Sequence, residues 1–231
     1  MKVVILAGGL GTRISEYTKV IPKPMINING KPILHRIIDH YIKYGYEDFY
    51  IALGYKGKVI RDYFKKKRFR NNIKINLIDT GKNTMTGGRL KRLQKFLNCT
   101  FLLTYGDGLS NVNIKKLVKF HLKRKKLVTL TAVRPPARFG VIQITNDSVK
   151  YFREKNSLDA GWINGGFFVI DPKFIKYIKN DNTFLEQEPL KKITKKKELL
   201  AFKHFGFWQC MDTLRDKKIL EEKIKKKKHL E

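Results

Sequence analysis

Four times in its first 133 residues the chain alternates a short apolar run with a longer amphipathic stretch. Val3 to Ala7 is apolar without a break and ends on glycine, the pattern of a strand buried on both faces. From Lys31 to Tyr44 the residues Ile33, Leu34, Ile37, Ile38, Tyr41 and Ile42 recur at helical spacing, with Pro32 in the first turn and Gly45 as the stop. "DFYIALG" then "KVIRDYFKK", "IKINLID" then "GGRLKRLQKFL", and "TFLLTYGDG" then "VNIKKLVKFHLKR" repeat the unit, and "LVTLTAV" opens a fifth. Parallel strands need a crossover of helical length, so this rhythm predicts a layered α/β fold with a mostly parallel sheet flanked by helices. After Arg134 the rhythm changes to strand-like "GVIQIT", "VKYFRE" and "GGFFVI" with short turns, followed by helices. A mixed sheet with a small second lobe accounts for that change, within a single domain spanning residues 1–231.

In an open α/β sheet, ligands bind beyond the carboxyl ends of the strands. "LAGGLGTR", Leu6 to Arg13, lies at that end of the first strand. Gly9 and Gly11 supply two glycines of the dinucleotide fingerprint, but Ile14 stands where the third belongs. Thr12-Arg13 is not the ending of a P-loop. Glycines alone fit a tight strand-to-helix turn as well as a phosphate cradle. Arg13, and Lys23 held between Pro22 and Pro24, add two cations and tip the reading toward an anionic guest.

"TYGDG" puts Asp107 at the end of the fourth strand, on the edge that carries the glycine loop. A carboxylate between two glycines there serves either a turn or a hard divalent cation such as Mg2+. Asp212, in "FWQCMDTLRD", precedes a C-terminal helix and reads equally as a metal ligand or as that helix's N-cap. The five histidines show no metal spacing, and Cys99 and Cys210 form no disulfide or metal framework.

A guest that is anionic raises the question of the formal charge, +30. The excess is mostly lysine, scattered, with clusters at Lys65 to Arg70, Lys123 to Lys126, Lys195 to Lys197 and Lys225 to Lys228. Such a charge speaks to solubility and encounter more than to fold. No nucleic-acid-binding module accompanies it, so no specific nucleic acid is expected, although a polyanion surface stays as the rival reading. The apolar run at the N-terminus is too short for a signal peptide or a membrane span, so no membrane and a cytoplasmic location are expected.

"LAGGLGTR" and "PKP" together resemble the signature of the sugar-1-phosphate nucleotidyltransferases. The resemblance runs essentially the whole length. "GYKGKVIRDYF", "DTGKNTMTGGRLKR", "TYGDG", "RPPARFG", "INGGFFV", "EQEPL" and "GFWQCMDTLRDK" are most similar to the glucose-1-phosphate cytidylyltransferase branch. The resemblance implies a Rossmann-like nucleotidyltransferase fold. It implies formation of CDP-glucose and pyrophosphate from CTP and α-D-glucose 1-phosphate with Mg2+. It implies nucleotide binding by Leu6, Ala7, Gly8, Gly9, Leu10, Gly11, Thr12, Arg13, Lys23, Thr84, Gly88, Arg89 and Gly106. Gly140, Glu154, Lys155, Asn164 and Gly165 would take the sugar phosphate, and Asp107 and Asp212 the metal. Arg13, Lys23 and Asp107 would carry the catalysis. Two departures stand out. Asn156 replaces the proline that follows the Glu-Lys pair in the family, and "KKKRFRNN" is short where relatives carry a longer insertion. Base choice therefore stays open among cytidylyl, uridylyl, thymidylyl and guanylyl transfer, as do the phosphorylated acceptor and a homo-oligomeric state.

Overall fold

The computed structural model describes residues 1–67, 69–70, 72–135, 141–153 and 161–226. The first strand, β1 (Val3–Leu6), is wholly buried. Its alternate residues serve two cores: Val3 and Ile5 face one, Val4 and Leu6 the other. A short helix, α1 (Ser15–Thr18), follows the glycine loop. Two short strands, β2 (Asn27–Ile28) and β3 (Lys31–Pro32), pair antiparallel before α2 (Ile33–Lys43). That pairing holds Lys31 and Pro32 outside the helix, which begins two residues later than its periodicity implies. α2 carries four isoleucines, β-branched residues that lose about 0.5 kcal/mol each in helix propensity. Burial outweighs this: Ile33, Leu34, Ile37 and Ile38 are essentially inaccessible, at about 2 kcal/mol each.

The remaining strands are β4 (Asp48–Leu53), β5 (Lys74–Asp79), β6 (Phe101–Tyr105), β7 (Gly108–Ser110), β8 (Val128–Val133), β9 (Val141–Thr145), β10 (Ser148–Arg153), β11 (Ile163–Ile170), β12 (Leu199–Lys203) and β13 (Trp208–Cys210). Six of these and β1 form one seven-stranded sheet in the order β12-β8-β11-β6-β1-β4-β5. Neighbours run parallel except β11, which is antiparallel to both β6 and β8. This is the mixed, mostly parallel sheet that the strand–helix rhythm implies. β9 and β10 pair as a separate hairpin, and β7 pairs with β13. α2, α3 (Gly57–Lys66), α5 (Ile114–Arg124) and α7 (Leu214–Lys226) pack on the face of Val3 and Ile5. α4 (Thr86–Arg92) and α6 (Glu188–Lys195) cover the opposite face. α4 ends at Arg92 rather than Leu97, because residues Gln94–Phe96 tighten into a 3-10 turn. β5 is an edge strand whose alternation does not separate a buried from an exposed face.

His40 ties two elements of this frame. Its Nε2–H donates to the Val112 carbonyl at 3.0 Å, among the rings of Tyr41, Tyr44 and Phe167. Burial pushes its pKa down from 6.5 to about 4, and Lys43 and His204 act in the same direction. Below pH 6.5 the unfolded chain takes up a proton that folded His40 refuses, so stability falls as pH drops toward 4, by up to about 1.4 kcal/mol per pH unit. Above that window the group contributes no pH dependence. The His40 share of the difference between urea unfolding at pH 7.5 and pH 5 is expected to be roughly 2 kcal/mol, to which His121 and His204, both also pushed down by burial, add in the same direction. His40→Gln keeps an N–H for Val112 and should lose that share; an unchanged difference would assign it to other groups.

Candidate active site

The carboxyl ends of β1 and β6 open into a cleft of about 560 Å³, a size ordinary for a small-molecule site. Gly11 turns the first loop back at φ +67°, a left-handed conformation that glycine adopts without strain. The adjoining strands fix the loop: the Ala7 N–H donates to the Ala52 carbonyl, and the Gly106 N–H to that of Leu6. Leu6, Ala7, Gly8, Gly9, Gly11, Thr12 and Arg13 line one side of the cleft; Leu10 points outward and is exposed. Thr84, Gly106, Asn164 and Gly165 line it as well. Gly140, Glu154 and Lys155 lie outside the described residues.

At the centre of the cleft lie the two aspartates. Lys23 Nζ is 2.6 Å from Asp107 Oδ2 and 2.6 Å from Asp212 Oδ1, and Arg13 donates to Asp212 Oδ2 at 2.7 Å. The acids come from chain positions more than a hundred residues apart and converge on one cation. Burial alone would lower the Lys23 pKa, but Asp107 and Asp212 outweigh it and raise the value. Burial alone would raise the Asp212 pKa, but Lys23 and then Arg13 outweigh it and lower it. Lys23 and Asp212 are therefore charged at neutral pH. Cys210 Sγ lies 3.7 Å from Asp212, and burial, with the nearby aspartates, pushes its thiol up to about 12. A thiol so firmly protonated is not a nucleophile.

The helix-cap alternative for Asp212 is resolved by its neighbours. Thr213 Oγ1 accepts from the Asp216 N–H at 3.2 Å, while Asp216 Oδ2 accepts from the Thr213 N–H at 3.0 Å. Thr213 and Asp216 thus form a reciprocal capping box, which leaves the Asp212 carboxylate to the cleft. Among the described residues no group of three or more His, Cys, Asp or Glu gathers as a metal site. A pair of carboxylates meeting on one cation nevertheless suits Mg2+, which takes one or two carboxylates and completes its shell with phosphates and water.

Arg89 also lines the cleft, and its guanidinium is held by protein acceptors. It is buried, and Nη1 and Nη2 donate to Thr80 Oγ1 and to the carbonyls of Leu53, Gly81, Gly8 and Lys82. It braces the glycine loop against the ends of β4 and β5. Gly88 packs against the 181–183 segment, and its N–H, with that of Gly87, donates to the Thr183 carbonyl. The α4 N-terminus is thereby capped by protein.

Sequence reasoning did not single out Tyr105, Thr86 or Glu186. Tyr105 and Thr86 line the cleft, and both hydroxyls donate to the Glu186 carboxylate. The "TYGDG" strand end was the available signal for Tyr105; nothing in the spacing connects it to Glu186. Of the two tryptophans, Trp208 lines the cleft and its Nε1–H donates to the Gly165 carbonyl at 2.7 Å, whereas Trp162 packs edge-on against Phe205.

Residues 2–214 match the family described as Nucleotidyl transferase. The chain is 48% identical over 243 residues to the glucose-1-phosphate cytidylyltransferase of Salmonella typhimurium, covering 96% of this chain and 95% of that protein. It is 41% identical to the probable glucose-1-phosphate cytidylyltransferase of Bacillus subtilis, with 94% and 93% covered. Its structure is similar to that of HddC from Yersinia pseudotuberculosis complexed with GMP-PN, with a TM-score of 0.78, 28% identity and coverage of 96% and 99%.

Proposed function

The chain belongs to the nucleotidyl transferase family, and from that premise we propose that it makes CDP-glucose and pyrophosphate from CTP and α-D-glucose 1-phosphate. The observation that carries the chemistry is the convergence of Asp107 and Asp212 on Lys23 beside the glycine loop. The choice of cytidylyl transfer and of glucose 1-phosphate is supported by near-full-length similarity to the two cytidylyltransferases.

A phosphate oxygen of the sugar attacks the α-phosphorus of the nucleotide. The new P–O bond forms as the bond to the β-phosphate bridge oxygen breaks, and pyrophosphate leaves with that electron pair. The nucleophile is already an anion at neutral pH, so no general base is assigned. Bringing two anions together and releasing a third is an electrostatic problem, solved by positioning and fixed charge. Arg13, exposed at the cleft mouth, takes the leaving phosphates. Lys23 takes the α-phosphate and the sugar phosphate. Asp107 and Asp212 would hold Mg2+, which neutralises charge on the nucleotide oxygens when bound. The glycine loop, Thr84, Arg89 and Gly106 shape the nucleotide site, and Gly88 belongs to it through the packing of the α4 N-terminus. Asn164 and Gly165 contribute to the sugar-phosphate site together with Gly140, Glu154 and Lys155. Among the described residues no helix is long and apolar enough to cross a membrane, and we place the reaction in the cytoplasm.

Pyrophosphate release with Mg2+ tests the assignment, using CTP, UTP, dTTP and GTP, each with glucose 1-phosphate and mannose 1-phosphate. CTP with glucose 1-phosphate is expected to give the highest kcat/KM, by at least about tenfold, a discrimination worth about 1.4 kcal/mol. A higher value for another nucleotide would overturn the base assignment.

A further inference from the structure

Tyr105, Asn164, Gly166 and Glu186 form a chain of hydrogen bonds along the sugar side of the cleft. The Tyr105 hydroxyl donates to Glu186 Oε1 at 2.5 Å. Its oxygen accepts from Asn164 Nδ2 at 3.3 Å. Asn164 Oδ1 in turn accepts from the Gly166 N–H at 2.9 Å. A backbone N–H can only donate and a carboxylate can only accept. The two ends therefore dictate the sense of every bond between them, including which way the Asn164 amide faces.

The chain is rigid where it matters. Gly166 adopts φ +78°, and a Cβ there would stand 2.6 Å from the Tyr105 ring, so the ring lies directly on bare backbone. Phe168 closes on it edge-to-face at 5.7 Å. Burial, and then the Glu186 charge, push the Tyr105 phenol far above its ordinary pKa, which keeps it a donor. Thr86 Oγ1 donates to the other Glu186 oxygen at 2.7 Å and accepts from the Leu185 N–H at 2.9 Å, which fixes the carboxylate itself.

We propose that Glu186 is a positioning residue for sugar-phosphate binding: acting through Tyr105, it holds the Asn164 amide so that one N–H stays available for an acceptor oxygen of the sugar phosphate. The proposal rests on the reading of Asn164 as part of the sugar-phosphate site. Without Glu186 the Tyr105 hydrogen has a nearby competitor in Asn164 Oδ1. The amide then turns or loses its bond to Gly166, and the donor offered to the cleft is no longer the same.

Steady-state kinetics on Glu186→Ala, Glu186→Asp, Glu186→Gln, Tyr105→Phe, Thr86→Val and the double variant E186A/Y105F test this. E186A is expected to raise KM for glucose 1-phosphate about tenfold, with kcat and KM for CTP within about twofold of the native values. E186D, one methylene too short to reach Tyr105, should behave like E186A and serves in its place if E186A does not fold. E186Q, whose amide oxygen still accepts from Tyr105, should stay within about threefold. E186A/Y105F should match Y105F, since Glu186 acts through that hydroxyl, and T86V, which removes one of the bonds that fix the carboxylate, should raise the sugar KM by less than E186A does. The proposal is overturned if E186A shifts KM for CTP as much as KM for the sugar, if the two single effects multiply in the double variant, or if E186A and E186D leave the sugar KM unmoved. Native turnover measured alongside separates the two levels. No pyrophosphate from any substrate pair overturns the enzymatic reading and this inference with it. Full native turnover with an unmoved KM overturns the inference alone.

Discussion

Asp107→Ala is expected to lower pyrophosphate release by three orders of magnitude or more while the chain keeps its fold. The fold survives because little of it depends on the side chain. Asp107 contributes one ion pair, to Lys23, from a carboxylate that is 29% exposed. Its backbone carbonyl, which accepts from the Met211 N–H at 2.9 Å, is retained in alanine. Lys23 also keeps Asp212 as a partner. The catalytic cost is of another order. A thousandfold loss is about 4 kcal/mol of transition-state stabilisation, the scale expected when a preorganised charge opposite a developing anion is removed. Asp107→Asn separates charge from shape: it preserves an oxygen for Lys23 but not the anion for Mg2+, and should be nearly as inactive as Asp107→Ala. Thermal melts of both variants within a few degrees of the native value, with turnover lost, fit the metal role. Turnover within tenfold of native in Asp107→Asn would remove Asp107 from the metal site.

The part of this site legible in the sequence is the part encoded locally. The unbroken apolar run of Val3 to Leu6 announces a strand buried on both faces, and the following glycines mark where a ligand can approach. Asp107 is legible because "TYGDG" ends a second such strand beside the first. The helical spacing of the α2 isoleucines fixes the core face. What is illegible depends on pairing at a distance. Strand periodicity does not reveal that β11 inserts antiparallel between β6 and β8, so it does not place Asn164 beside Tyr105. The spacing of "FWQCMDTLRD" permits Asp212 to be either cap or ligand; only Thr213 and Asp216 closing on each other remove the cap alternative. The spacing of "TGGRLKR" does not show that Arg89 reaches across to the Gly8 and Leu53 carbonyls while also bonding Thr80, Gly81 and Lys82 nearby. Residue type sets what a side chain is able to do, but its partner sets what it does, and partners here are commonly 80 or more positions away.

Lys23→Met is expected to abolish turnover and, in the absence of nucleotide, to bind Mn2+ at least tenfold more tightly than the native protein. The two effects have opposite sign and one cause. In the native protein the Lys23 ammonium occupies the point on which Asp107 Oδ2 and Asp212 Oδ1 converge, so a divalent cation arriving alone must displace a buried, doubly paired charge. Arg13 satisfies only the other oxygen of Asp212 and is largely exposed, so it does not compensate for the loss of Lys23. Methionine fills the space of the lysine stem and leaves the carboxylates facing each other without a cation. Removing one partner of a buried ion pair costs about 3 kcal/mol or more. That cost is recovered when a metal binds only to the folded state. The melting temperature of Lys23→Met should therefore lie well below native in chelator and rise toward it with millimolar Mg2+ or Mn2+, while the native melt barely moves. Free Mn2+, counted by electron paramagnetic resonance in a titration without nucleotide, gives the affinity directly. Equal Mn2+ affinity in both proteins would mean that Lys23 does not hold the metal position; tight binding confined to the variant makes the lysine the resident cation, one that yields to the divalent ion when nucleotide phosphates give the ammonium another partner.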